Sequence, residues 1–260
     1  MAIQSFPDQL GCITSLSGPP QRIISLVPSQ TELLADLDLN DRVIGITKFC
    51  NHPEDWRTRK TIVGGTKNFW FDVIEGLKPD LIIGNKEENY KEGIEKLREI
   101  CPVWVSDIIT LEDALSMIAS VAQITERQAL ATQYMNTITD KFKKIKRVTG
   151  KSVLYLIWRE PWMAAGKRTF IDSMLTTLGL CNVLDSADRY PVLTTQEIKN
   201  LEPQYIFLSS EPFPFSKRHA EELSQCSPTS KILLVDGEMF SWYGTRLIKA
   251  ADYFSQLKFA

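Results

Sequence analysis

No apolar stretch in this 260-residue chain approaches the roughly 20 residues that a membrane-crossing helix needs. The opening residues, Met1-Ala-Ile-Gln-Ser-Phe-Pro-Asp, lack a basic start, an apolar run and a cleavage-like site, so they do not read as a secretory leader. Cysteine is sparse and odd in number. Cys12, Cys50, Cys101, Cys181 and Cys226 are scattered without a C-x-x-C, which is poor material for a disulfide framework and fits a reducing compartment. Charge of one sign is also lacking. A net charge of −2 gives no electrostatic reason to expect nucleic acid or an anionic membrane as partner.

What is present is one phrase written twice. Ile74-Glu-Gly-Leu-Lys-Pro-Asp-Leu-Ile-Ile returns 124 residues later as Ile198-Lys-Asn-Leu-Glu-Pro-Gln-Tyr-Ile-Phe. Each copy reads as the last turn of a helix, a proline stop, then an interior strand. A helix-to-strand joint repeated at nearly half the chain length predicts two similar α/β lobes with a cleft for ligand. Strands at 22–27, 43–46, 61–63, 81–84 and 103–105 alternate with helices at 31–37, 71–77 and 91–100, the pattern of a parallel sheet. Ser29 or Gln30 is the expected cap of the first helix. After Gly150 the rhythm resumes with strands at 153–157, 205–208 and 232–235, and helices at 170–178 and 245–257. From Leu111 to Val148 there is neither glycine nor proline. A long helix, with room for one break near Thr125, is the simplest reading of that segment. The predicted organisation is therefore an amino-terminal α/β lobe over 1–110, a helical connector over 111–149 and a carboxyl-terminal α/β lobe over 150–260.

Parallel α/β sheets bind ligands beyond the carboxyl ends of their strands. Here those loops pair aromatic rings with charges. The first half contributes Lys48 and Phe49, Thr66 in Gly64-Gly-Thr-Lys, and Glu87. The second contributes Trp158, Arg159, Trp162, Glu211, Glu238, Trp242 and Tyr243. Flat rings supply contact area and the charged groups supply oriented hydrogen bonds, a mixture that suits a large, partly planar ligand. The alternative is that the rings pack the lobes and the charges pair at the surface. Gly64-Gly-Thr-Lys lacks phosphate-loop spacing and reads as a tight turn. Cys50-Asn-His52 offers two metal ligands, which do not make a site, and reads as a buried cysteine beside a turn histidine.

Arg22-Ile-Ile-Ser-Leu-Val-Pro-Ser-Gln-Thr-Glu-Leu, Val63-Gly-Gly-Thr-Lys-Asn and Ile74-Glu-Gly-Leu-Lys-Pro-Asp-Leu-Ile together resemble the class III substrate-binding proteins of ABC importers. That group includes binders of vitamin B12, iron–siderophores and haem, and the resemblance is closest to its corrinoid-binding branch. It implies two α/β lobes on one long helix, a rather rigid cleft, and binding without catalysis or an intrinsic cofactor. The implied ligand is a metal chelate, with a corrinoid such as cobalamin ahead of haem or a ferric siderophore. The implied partner is an ABC permease, docked through one acidic residue per lobe, and the protein is expected to be a monomer. The docking positions align with Asp72, and with Gln196 beside Glu197, where the family's usual residue is glutamate. The family's transition-metal branch uses several cleft histidines, and two in the chain do not match it. The resemblance points to the periplasm or cell surface, whereas the absent leader and the cysteines point to the cytoplasm. A second expectation is a cytoplasmic enzyme or handling protein on the same scaffold, using Cys50 and His52 on a cofactor intermediate.

Overall fold

The computed structural model describes residues 3–259. The chain divides into two compact units. One holds residues 3–108, 112–139 and 243–246, and the other holds 109–111, 140–242 and 247–259.

The first unit opens with an antiparallel hairpin, β1 (Gln4–Pro7) and β2 (Ile13–Leu16). Strand β3 (Ile23–Ser25) then leads into α1 (Pro28–Asp36). The cap of α1 is Val27 with Pro28 in the first turn, not Ser29 or Gln30. Proline needs no partner for an N–H it lacks, so it takes the position where a helix donor goes unpaired. Strand β4 (Val43–Ile46), a short helix α2 (Trp56–Arg59) and β5 (Thr61–Ile62) follow. A miniature hairpin comes next, β6 (Gly64–Gly65) against β7 (Asn68–Phe69). The chain continues through α3 (Phe71–Leu77), β8 (Leu81–Asn85), α4 (Lys91–Ile100) and β9 (Val103–Ser106). Strands β5-β4-β3-β8-β9 make one parallel sheet. Its interior strands are covered on both faces, which is why Leu81, Ile82 and Ile83 are all buried rather than alternating.

Two helices follow, α5 (Leu111–Thr125) and α6 (Gln128–Lys143). They part at Glu126, whose φ of 59° is left-handed and ends the first helix. The chain leaves the first unit inside α6.

The second unit begins with β10 (Lys151–Trp158), β11 (Trp162–Ala164), α7 (Phe170–Thr177), β12 (Leu180–Asn182) and β13 (Val192–Leu193). It continues with α8 (Thr195–Leu201), β14 (Tyr205–Ser209), α9 (Lys217–Cys226), β15 (Lys231–Val235), α10 (Gly237–Ser241) and α11 (Leu247–Gln256). The sheet runs β13-β11-β10-β14-β15, with β12 beside the start of β10. It is mixed: β11 runs antiparallel to both of its neighbours, β10 and β13, while β12, β10, β14 and β15 pair in parallel. The order β10-β14-β15 repeats β3-β8-β9 of the first unit.

The doubled phrase has the same backbone in both copies. Lys78 sits at φ 46°, ψ 60° after α3, and Glu202 at φ 43°, ψ 48° after α8. Each left-handed residue closes its helix directly ahead of a proline, so the next strand can start within two residues. Ile74 and Ile198 anchor their helices at zero exposure.

Candidate functional site

The first unit brings its four sequence-predicted contacts into one loop cluster. Gly64 has a φ of 110°, and a Cβ there would overlap the Asn68 carbonyl, so the β6–β7 hairpin requires glycine at this point. The Lys48 amide donates to the Gly64 carbonyl at 2.9 Å. The neighbouring Gly65 leaves room for the Phe49 ring and the Lys48 stem. Lys48 Nζ lies 5.1 Å from the Phe49 ring centroid, and the ring itself is 48% exposed. Thr66 accepts at its carbonyl from Asn89 Nδ2 at 3.1 Å, and Lys67 Nζ donates to the Glu87 carbonyl at 2.6 Å. Asn85 Oδ1 accepts from the amides of Glu87 and Glu88 at 2.8 and 3.0 Å, fixing the turn after β8.

Tyr243 joins this unit although it lies far along the chain. Its hydroxyl donates to Glu88 at 3.1 Å, and burial pushes its phenol well above the ordinary range. Arg246, three residues on, donates from Nε to Glu32 at 2.7 Å in a buried ion pair.

In the second unit the parallel pairing of β10 with β14 and of β14 with β15 sets three loops side by side. Trp158 is 39% exposed and meets Phe213 edge to face at 5.6 Å. Arg159 lies 4.3 Å over the ring of Trp162, while its Nη2 reaches Glu222 at 2.6 Å. That ion pair is the first cause of the raised Arg159 pKa, and it engages the guanidinium expected to meet a ligand. Trp162 is buried and stacks parallel to Phe215. Glu211 Oε1 accepts from Ser241 Oγ at 2.7 Å and from the Trp242 indole N–H at 2.8 Å. Burial holds the Glu211 carboxyl above the usual range. Glu211, Asp236 and Glu238 line an acidic pocket of about 550 Å³ at the ends of β14 and β15. The exposed ring surface here is Trp158, with Trp162 and Trp242 buried behind the loops.

Phe213, Phe215 and Glu222 belong to this cluster but were missing from the sequence-predicted contacts. Glu222 lies on α9, a helix absent from the elements that the sequence predicts. Its signal was present in Ser216 followed by Ala220 and Leu223, a cap and then an apolar face.

The two positions that the resemblance aligns with permease docking take the same place in their helices. Asp72 and Gln196 are each the second residue, and both are exposed. Gln196 donates to Asn200 at 2.8 Å. The Glu197 carboxylate accepts from the Thr194 amide at 2.7 Å and from its hydroxyl, and those bonds hold its pKa down.

The enzyme alternative fails at Cys50. Its thiol is buried against the Thr31 and Thr47 hydroxyls at 3.0 and 3.3 Å, and burial raises its pKa, so a thiolate nucleophile is disfavoured. Among the described residues, no three of His, Cys, Asp or Glu come together as a metal site. No helix among them is long and apolar enough to cross a membrane.

The vitamin B12-binding protein of Vibrio campbellii is 25% identical over 199 residues, covering 74% of this chain and 72% of that protein. In fold, the chain is similar to the periplasmic vitamin B12 binding protein BtuF of Vibrio cholerae, with a TM-score of 0.78, 20% identity, and 91% and 96% of the two chains covered. The periplasmic haem-binding protein RhuT from Roseiflexus sp. RS-1 is similar to the same degree, at TM-score 0.78, 21% identity, and coverage of 92% and 98%. A family model described as periplasmic binding protein matches residues 23–228. With most of its length inside that match, the chain belongs to the periplasmic binding protein family, whose members bind rather than catalyse.

Proposed function

We propose that this protein is the substrate-binding component of an ABC-type uptake system, and that its ligand is a metal chelate, with a corrinoid ahead of haem or a ferric siderophore. The observation that carries this reading is the aromatic wall at the carboxyl end of β10 and β14. There the exposed Trp158 is braced by Phe213, and Arg159 and Trp162 back the loop. A flat ring held from behind presents a rigid face to a macrocycle at little entropic cost. The vitamin B12-binding relatives, at 25% identity or less, support the corrinoid choice.

The contacts we assign are Trp158 with Glu211 and Glu238 in the second unit, and Lys48, Phe49, Thr66 and Glu87 in the first. Trp162, Arg159, Trp242 and Tyr243 support these from behind. A permease would meet Asp72 and Gln196, because the Glu197 carboxylate is committed to capping α8.

Titration of the purified protein with cobalamin, cobinamide and haemin, read by absorbance and thermal shift, tests the assignment. A shifted corrin band and a raised Tm with cobalamin or cobinamide are expected. Trp158→Ala should weaken that binding by roughly tenfold or more, the scale of a central aromatic contact. Haemin binding in place of the corrinoids would move the choice within the group. An unchanged spectrum and Tm with all three would end the tetrapyrrole reading.

A further inference from the structure

The second unit has a groove of about 760 Å³ that the strand-end loops do not share. Phe142, Ile145 and Ile109 give it an apolar floor, with the first two buried beneath the surface. Lys143, Arg147, Lys167 and Arg168 stand around it, against the single carboxylate of Asp172. Lys167 pairs with Asp172 at 3.6 Å, Arg168 pairs with Asp188, and Arg147 donates to the Thr176 carbonyl at 3.2 Å. Lys143 makes no ion pair among the described residues, so Lys143 and Arg147 leave positive charge uncompensated. Residues 143–151 hold five cations and no acid in a chain whose net charge is −2. The near-neutral total conceals a local positive field.

We propose that this groove recognises a phosphate ester, and that its physiological source is the headgroup of an anionic phospholipid. Guanidinium and ammonium donors beside the hydroxyls of Ser173 and Thr176 match a tetrahedral oxyanion. The adjoining apolar floor accommodates the glycerol and upper acyl carbons of a lipid, which a site for free phosphate would not need. The field of the basic segment adds to this at a negatively charged surface, where each Lys or Arg strengthens binding roughly fivefold. The assignment is independent of the ligand bound by the strand-end loops.

Vesicle co-sedimentation of the full chain decides it. Vesicles containing phosphatidylglycerol are expected to bind and pure phosphatidylcholine vesicles are not, with binding lost as salt is raised. Lys143→Ala combined with Arg147→Ala should weaken binding roughly thirtyfold, while the Tm and the corrinoid titration stay unchanged. Glycerol 1-phosphate and inorganic phosphate form the second arm, read by calorimetry. Binding of the soluble ester without vesicle binding keeps the groove but overturns the lipid source. If vesicles bind the double variant as well as the parent, or if no phosphate compound binds at all, the proposal is overturned.

Discussion

Glu211 concentrates the chemistry of its loop in one carboxyl group. Burial raises its pKa, while Ser241 and Trp242 stabilise the charged form without cancelling that effect. In the unfolded chain the group titrates near its ordinary value of about 4.3. A raised folded-state pKa means that its contribution to stability is fully present below the unfolded value and is lost as pH rises through the folded one. Glu211→Gln keeps an acceptor for both donors and removes the titration. The variant should therefore be more stable than the parent at pH 8, by a margin that shrinks towards pH 4. Urea midpoints at the two pH values measure this, and an equal margin at both would rule out Glu211 as the source. Burial acts in the same direction at Cys50, raising the pKa of a thiol held by two threonines. Sequence proximity to His52 could not reveal that, because Thr31 reaches the Cys50 loop from α1.

At the scale of elements, the doubled joint is where the sequence spoke most clearly. Helix, proline and strand were legible at 74–83 and 198–207 because proline punctuates the chain whatever surrounds it. The left-handed residue ahead of each proline was not legible, since lysine and glutamate are ordinary helix formers and give no sign of positive φ. A non-glycine residue in that conformation costs roughly 1–2 kcal/mol, partly offset by the freedom glycine would lose on folding. Lys78→Gly and Glu202→Gly should each raise unfolding stability by about 0.5–1 kcal/mol. A loss of stability in either would show that the side chain contributes more than its strain. The small antiparallel strands β11 and β13 were invisible for a related reason. Pieces of two or three residues carry too little alternation to be recognised, and tertiary pairing alone defines them. The site shared that fate in part: the aromatic loops were evident, but α9, which brings Glu222 to Arg159, was not.

For the whole molecule, the informative feature is the route of the chain. Residues 243–246 return to the first unit before 247–259 finish the second. Truncation after Trp242 therefore removes Arg246 from the buried Glu32 and, with α11, takes Phe254 from its place beside Phe240. A charge stripped of its buried partner costs roughly 3–5 kcal/mol. Hydrogen exchange should show protection lost in β3 and α1 as well as in α10. Protection retained in α1 would mean that the first unit stands without the returning segment.

The same route has a consequence during synthesis. At about 5–20 residues per second, the 103 residues between Thr139 and Tyr243 take roughly 5–20 seconds to translate. For that interval the nascent first unit holds a carboxylate at Glu32 whose arginine does not yet exist. Protonation, water penetration or a chaperone must cover it, so the first lobe to be made is among the last to be completed.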